Sequence, residues 1–181
     1  SINRINDENR GDYLGEFSGD DKILIISSSG YYELLAYDLS THFPDDVILI
    51  EKYTEQNTVV AIYFYASKKQ FYIKRFTPLL KSKKIYFIDD DKESYLELVS
   101  SSPSINLELQ FIKPRNKDAR NNEIINPNQF IDVKGVNAIG NKLSRYPLKT
   151  ISIIENQNIT NQISSNQDQE IDSDNQIKLN F

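Results

Sequence analysis

Short runs of β-branched and aromatic residues recur about every 8–12 residues along this chain, with polar turns between them. Lys22–Ser27 is the first run, followed by the turn Ser28-Ser29-Gly30 and a second run at Tyr31–Ala36. Val47–Tyr53 and Thr58–Tyr65 are divided by the polar link Thr54–Asn57, and Phe71–Phe76 follows a turn at Ser67–Gln70. Lys84–Ile88, Tyr95–Val99, Asn106–Ile112, Gln129–Lys134, Lys142–Tyr146 and Thr150–Glu155 complete about eleven predicted strands. No segment sustains a period of 3.6 beyond a turn or so near Leu34–Leu39. The pattern predicts an all-β sandwich, barrel or propeller.

An internal repeat sharpens that choice. Asp21–Ile26 and Lys83–Ile88 both place a charged lead before an apolar strand. Each precedes a polar turn and an alternating strand, Tyr31–Leu35 in one case and Tyr95–Val99 in the other. Repetition of four-stranded units is how propellers are built. The expectation is a propeller-like domain over residues 1–155. Beyond it, residues 156–181 form an acidic tail rich in Asn, Gln and Ser. That composition cannot bury enough apolar surface to offset the entropy of ordering, so disorder is predicted there.

Charge is unevenly spread. Residues 1–21 carry two arginines against six carboxylates, and residues 156–181 carry Lys178 against four. With ends at −4 and −3 in a chain of net charge −5, residues 22–155 hold +2. Within them, Lys68, Lys69, Lys74, Arg75, Lys81, Lys83 and Lys84 lie in a stretch, 66–88, with no acidic residue. A one-sided stretch of this kind is a candidate anion-facing surface. A second group, Lys134, Lys142, Arg145 and Lys149, lines a loop bracketed by Gly135 and Gly140. Glycines there let the backbone approach a ligand or another strand closely. Cations on such a loop suit a phosphate backbone, because they neutralise charge without reading sequence.

Catalytic equipment is sparse. The chain has no cysteine, which excludes thiolate zinc sites and cysteine nucleophiles, and its single histidine, His42, lacks a partner nucleophile at a recognisable spacing. Asp89-Asp90-Asp91 with Glu93 lacks the glycine and alternate spacing of a calcium loop. Gly135–Gly140 before Lys142 departs from a phosphate loop: the lysine is one place late and no Ser or Thr follows it. Arg145-Tyr146 could pair a nucleophile with a phosphate clamp, but Pro147 and a strand-edge position favour an interfacial aromatic. No apolar run nears the ~20 residues that span a bilayer. The chain has no methionine, so it is expected to be a piece of a longer protein.

Residues 130–135 (FIDVKG), followed by Ala138, Gly140 and Lys142-Leu143-Ser144, resemble the last repeat of the C-terminal domain of the gyrase and topoisomerase IV A subunits, in the Bacteroidetes-like version. Gly11–Gly15, Asp20–Leu24 and Ser29–Tyr32 resemble an earlier blade, and Ile50–Tyr53, Ala61–Phe64 and Tyr72–Phe76 its middle strands. Gln176–Phe181 resembles the apolar peptide that follows an acidic tail in that group. The resemblance implies a β-pinwheel, a partial ring of four-stranded blades whose basic rim binds and bends duplex DNA. It implies no active site and no cofactor in this piece. The parent, a cytoplasmic and nucleoid-associated enzyme, would dimerise and pair with an ATPase (B) subunit that carries ATP and Mg. The glycine box with which gyrase wraps DNA is missing, which favours topoisomerase IV. Asn137, Ile139 and Asn141 stand where related loops are more basic, so weak, salt-sensitive binding is expected.

The other reading is a protein-interaction module, in which Tyr31, Tyr32, Tyr63, Tyr65 and Tyr72 are exposed to a partner and the lysines only confer solubility. Charge reversal at Lys68, Lys69, Lys74 and Lys84 separates the two.

Overall fold

The computed structural model describes residues 12–89 and 92–155, so the expected disordered tail, 156–181, lies outside the described residues. These residues form an all-β chain of three antiparallel sheets, none closed on itself. The first sheet holds β1 (Lys22–Ser27), β2 (Tyr31–Ala36), β3 (Val47–Lys52) and β6 (Ile85–Tyr86), in the order β3-β1-β2-β6. The second holds β4 (Val59–Tyr65), β5 (Gln70–Phe76), β7 (Tyr95–Ser100) and β10 (Asn141–Lys142), in the order β10-β5-β4-β7. The third holds β8 (Ile105–Phe111), β9 (Glu123–Ile125) and β11 (Leu148–Glu155), in the order β11-β8-β9.

One plan underlies all three sheets. A hairpin forms the middle (β1-β2, β4-β5, β8-β9), and a later strand returns beside its first member (β3, β7, β11). In the first two sheets a two-residue strand then joins beside the second member, and it arrives only after the next sheet's hairpin has been laid down. The repeat therefore differs from the one expected from sequence. Lys83–Ile88 does not correspond to Asp21–Ile26: β6 is an edge strand, whereas β1 is paired on both sides. Tyr95–Ser100 is likewise a returning strand, not a hairpin partner like Tyr31–Ala36.

The apolar pattern of each strand reports its depth in the stack. In β4, Val59, Ala61 and Tyr63 face a core shared with the first sheet, through Leu24, Ile26 and Tyr32. Its alternate residues Val60 and Ile62 face a second core, shared with Leu107, Leu109 and Phe111 of the third sheet. A strand covered on both sides reads as a continuous apolar run, and VVAIYFY does. β1 behaves the same way, since Ile23 and Ile25 meet Phe43 and Phe17 on the far side of the first sheet. In β8 the alternation returns: Leu107, Leu109 and Phe111 point inward, while Glu108 and Gln110 are only partly covered.

Two expected strands fail locally, since β10 takes only Lys142 of the expected Lys142–Tyr146, and one short strand appears unforeseen. Residues 129–134 are not a strand, because Asn126-Pro127 starts a short helix, α1 (Pro127–Phe130). The Asn126 side chain accepts the Asn128 N–H at 2.9 Å and proline occupies the first turn, a preorganised helix start. The strand at Glu123–Ile125 is not announced by the sequence, being only three residues long.

Candidate nucleic-acid interface

The segment from Ile131 to Gly140 carries the two glycines and begins the second basic group. It lies against the second sheet, and three side chains of that sheet hold its backbone. An Arg75 guanidinium N–H donates to the Ile131 carbonyl at 2.8 Å, the Lys74 Nζ donates to the Val136 carbonyl at 2.7 Å, and the Tyr63 hydroxyl donates to the Ile139 carbonyl at 2.7 Å. The Lys134 N–H returns a bond to the Arg75 carbonyl at 2.9 Å. Val136 drops into the first core and Ile131 into the second. Gly140 then closes the segment with φ +89°, and a Cβ on it would lie 2.2 Å from the Ile73 carbonyl. Of the two partners that glycines admit, the one met here is a neighbouring strand.

This attachment corrects two of the candidate DNA contacts. Lys74 is 3% exposed, and its Nζ also donates to the Phe87 carbonyl at 2.6 Å. Burial pushes its pKa down to about 8. Lys74 is a tie between loops and cannot meet phosphate. Arg75 is half-buried and its guanidinium serves Ile131, so it too is structural in this geometry. The reason is the parity of β5. Tyr72, Lys74 and Phe76 share the face toward the first core, and Phe71, Ile73 and Arg75 the face toward the second. Lys74 therefore has no solvent face, and Arg75 only part of one.

The remaining candidates are exposed. Lys68 and Lys69 form the turn joining β4 to β5, where Lys69 takes a left-handed conformation (φ 53°) and its N–H bonds the Ala66 carbonyl. Lys142 lies on β10, in register with Tyr72. Just beyond it, the Leu143 N–H donates to the Phe71 carbonyl, which brings Ser144 and Arg145 to the β4–β5 turn. Lys69 and Arg145 consequently line the same cleft, of about 240 Å³, whose floor includes Phe64, Phe71 and Tyr146. Lys149 follows the cleft residue Leu148 and sits in the register break of β11.

Arg120, which belongs to neither basic group read from the sequence, joins this site. Its guanidinium lies 3.8 Å from the Tyr146 ring centroid, and that of Arg145 lies 4.9 Å from it. Tyr146 also meets Phe111 edge-on, with centroids 6.1 Å apart, so its ring is held between an aromatic and two guanidinium groups. Arg120 lies near the end of a β8–β9 connection that also carries Lys113, Arg115 and Lys117 against Asp118. That run is visible in the sequence, but its acid and its lack of glycine make it less conspicuous than the other two.

Lys81, Lys83 and Lys84 form a separate group against the first sheet, and none of them lines the cleft. The Lys84 Nζ stands 4.5 Å from the Tyr31 ring, and its pKa is raised chiefly by hydrogen bonding to that tyrosine. Nearby, Asp46 accepts hydrogen bonds from the Ser27 and Ser29 hydroxyls, which hold its carboxyl below the usual range.

The tyrosines expected on a protein-docking surface are largely inside. Tyr31, Tyr32 and Tyr63 are buried, and Tyr65 and Tyr72 are half-buried against the first core. His42 is exposed, with Nδ1 2.7 Å from the Ser40 carbonyl. Among the described residues no group of three His, Cys, Asp or Glu side chains is placed to hold a metal ion, and part of the 89–91 acidic run lies outside them. No described helix is long and apolar enough to cross a membrane.

Comparison with curated proteins and with solved structures finds no match. A family model does match, over residues 4–155, which spans all three sheets. The chain belongs to the family described as the topoisomerase C-terminal domain of Bacteroidota.

Proposed function

We propose that this chain is the non-catalytic DNA-binding domain of a type II topoisomerase A subunit, of the topoisomerase IV kind, and that it grips duplex DNA through the phosphate backbone. The observation that carries the reading is the meeting of Lys69 and Arg145, from two separate turns, at one cleft with Arg120 stacked above Tyr146. Family membership supports it. Exposed cations set on turns of a rigid sheet neutralise phosphates and release counterions without contacting bases, so binding is sequence-independent. Lys68, Lys142 and Lys149 extend the patch, and Lys134, Lys81, Lys83 and Lys84 offer further charges that a bent duplex can reach. The three hairpin-centred sheets are read as successive blades of a pinwheel that guides DNA toward strand passage. The cleavage machinery, and the ATP and Mg held by a partner subunit, belong to other parts of the assembly.

The test is retardation of duplex DNA by the chain across a salt series. Affinity should fall steeply between about 50 and 300 mM salt, and the doubly reversed variant K69E/R145E should release about two phosphates, each flattening the log–log slope by ~0.9. Equal retention at both salt concentrations would refute the electrostatic reading.

A further inference from the structure

The cleft at which Lys69 and Arg145 meet has a floor that phosphate binding does not use. Phe71, Phe64 and Tyr95 stand opposite one another on β5, β4 and β7, a cross-strand row on the face toward the second core. The next row along that face, Ile73, Ile62 and Leu98, is packed into the core shared with the third sheet. The aromatic row is less covered: Tyr95 is 46% exposed, and Phe64 and Phe71 are only half-buried. Its rings brace one another. Phe64 and Tyr95 stack with centroids 5.4 Å apart, and Phe71 meets both edge-on, at 5.3 and 6.3 Å. Phe64, Phe71 and Tyr146 line the cleft, and among the described residues no carboxylate pairs with the exposed Lys69 or Arg145 on its rim.

We propose that this cleft takes one unpaired nucleotide of a DNA strand, its base stacked on Phe64, Phe71 and Tyr146 and its flanking phosphates held by Lys69 and Arg145. Open aromatic faces beside cations are the chemistry of single-strand recognition, since every base has a π-face and every link a phosphate. A perfect duplex turns the faces of its bases toward one another and would leave the aromatic floor bare. The free volume, about 240 Å³, lies below the ~300–1,000 Å³ of drug-sized sites, so it suits a single base and not a base pair. Aromatic clefts also hold organic cations, but Lys69 and Arg145 would repel one here. Stacking tolerates every base, so the site discriminates unpaired from paired nucleotides and not one sequence from another. The inference rests on the proposed contact with DNA, and adds to it a preference for duplexes that carry an unpaired base.

Fluorescence anisotropy of the full chain with three end-labelled DNAs tests it: a perfect duplex, the same duplex with one bulged thymidine, and the same duplex with a bulged abasic nucleotide. The abasic bulge keeps the charge and the flexibility of the thymidine bulge and lacks only the base. The thymidine bulge should bind on the order of tenfold tighter than the abasic one, within the range that stacking a single base contributes. That ratio should hold from about 50 to 300 mM salt while all three affinities fall, because stacking releases no counterions. Phe71→Leu and Tyr146→Leu, which keep apolar bulk and remove a π-face, should each shrink the ratio, whereas Tyr146→Phe should keep it. Equal affinity for the two bulges, with the duplex still held in a salt-sensitive way, would overturn this inference alone; an acidic peptide as the true occupant would give that result. A thymidine advantage untouched by either leucine variant would overturn it too. Retention of none of the three DNAs at about 50 mM salt would overturn the proposed function with it.

Discussion

The Lys74 ammonium sits 2.7 Å from the carbonyl of Val136, 62 residues away in the chain, and 2.6 Å from that of Phe87. It thereby joins the connection after β6 to the glycine segment. Two acceptors suit a neutral amine as well as an ammonium, since –NH2 still has two hydrogens to donate. The neutral form also escapes the cost of burying a charge. With its pKa at about 8 in the folded chain against an ordinary lysine value of 10.5, the unfolded chain binds more protons between those limits. Stability therefore rises with pH in that window.

The unfolding free energy, read from denaturant melts, should climb from pH 8 toward pH 10 by on the order of 2–3 kcal/mol in total, and this climb should vanish in Lys74→Met. Above about pH 10 the trend should reverse. Burial raises the pKa of Tyr63, so the unfolded state ionises first and stability is lost as pH rises further. An unfolding free energy that stays flat from pH 8 to 10 in the unaltered chain would contradict the burial of Lys74.

Lys74→Met also separates fold from binding. It removes a charge from the stretch 66–88 but none from the surface. Under conditions where the variant remains folded, the salt slope of duplex binding should equal that of the unaltered chain. K69E/R145E should flatten it, by ~0.9 for each phosphate no longer neutralised. Paired salt titrations of the two variants provide the comparison.

Gly140→Ala should cost about 2–3 kcal/mol, because the backbone is left-handed there and the new methyl would press on the Ile73 carbonyl. The displaced segment includes β10, so hydrogen exchange should accelerate first at Lys142 and Leu143. Gly135→Ala, where a Cβ meets open space, should cost far less, and thermal denaturation of the pair measures the difference.

Tyr63→Phe should cost about 1 kcal/mol, the worth of a single hydrogen bond to the Ile139 carbonyl. The ring itself stays packed between Tyr65 and Tyr72, so the loss should come without a change in denaturant sensitivity.

Strand positions were legible because apolar runs bounded by turns leave few alternatives: Lys22–Ser27 and Tyr31–Ala36 fall where the residues say. The depth of each sheet was legible too, in the continuous run of β4 against the alternation of β8. Partner choice was not. Nothing in Lys84–Ile88 announces that it returns to β2, because a two-residue edge strand is recruited by tertiary packing and not by propensity. The candidate site failed in a parallel way. Lys74 and Arg75 bond to carbonyl oxygens, and a backbone acceptor carries no side-chain signature. Their parity on β5 was the available clue, since both faces of that strand are otherwise apolar. Arg120 escaped notice for the opposite reason: its contact with Tyr146 spans 26 residues and depends on how β8 and β11 pair.

The late arrival of each edge strand bears on how the protein is made. The first sheet stays unfinished until Ile85–Tyr86 has left the ribosome, by which time the β4–β5 hairpin has already emerged. The second waits in turn for Asn141–Lys142, behind the β8–β9 hairpin. Synthesis thus works as a relay, with every unit handing an open edge to the next. Excising the middle unit would strand both of its neighbours.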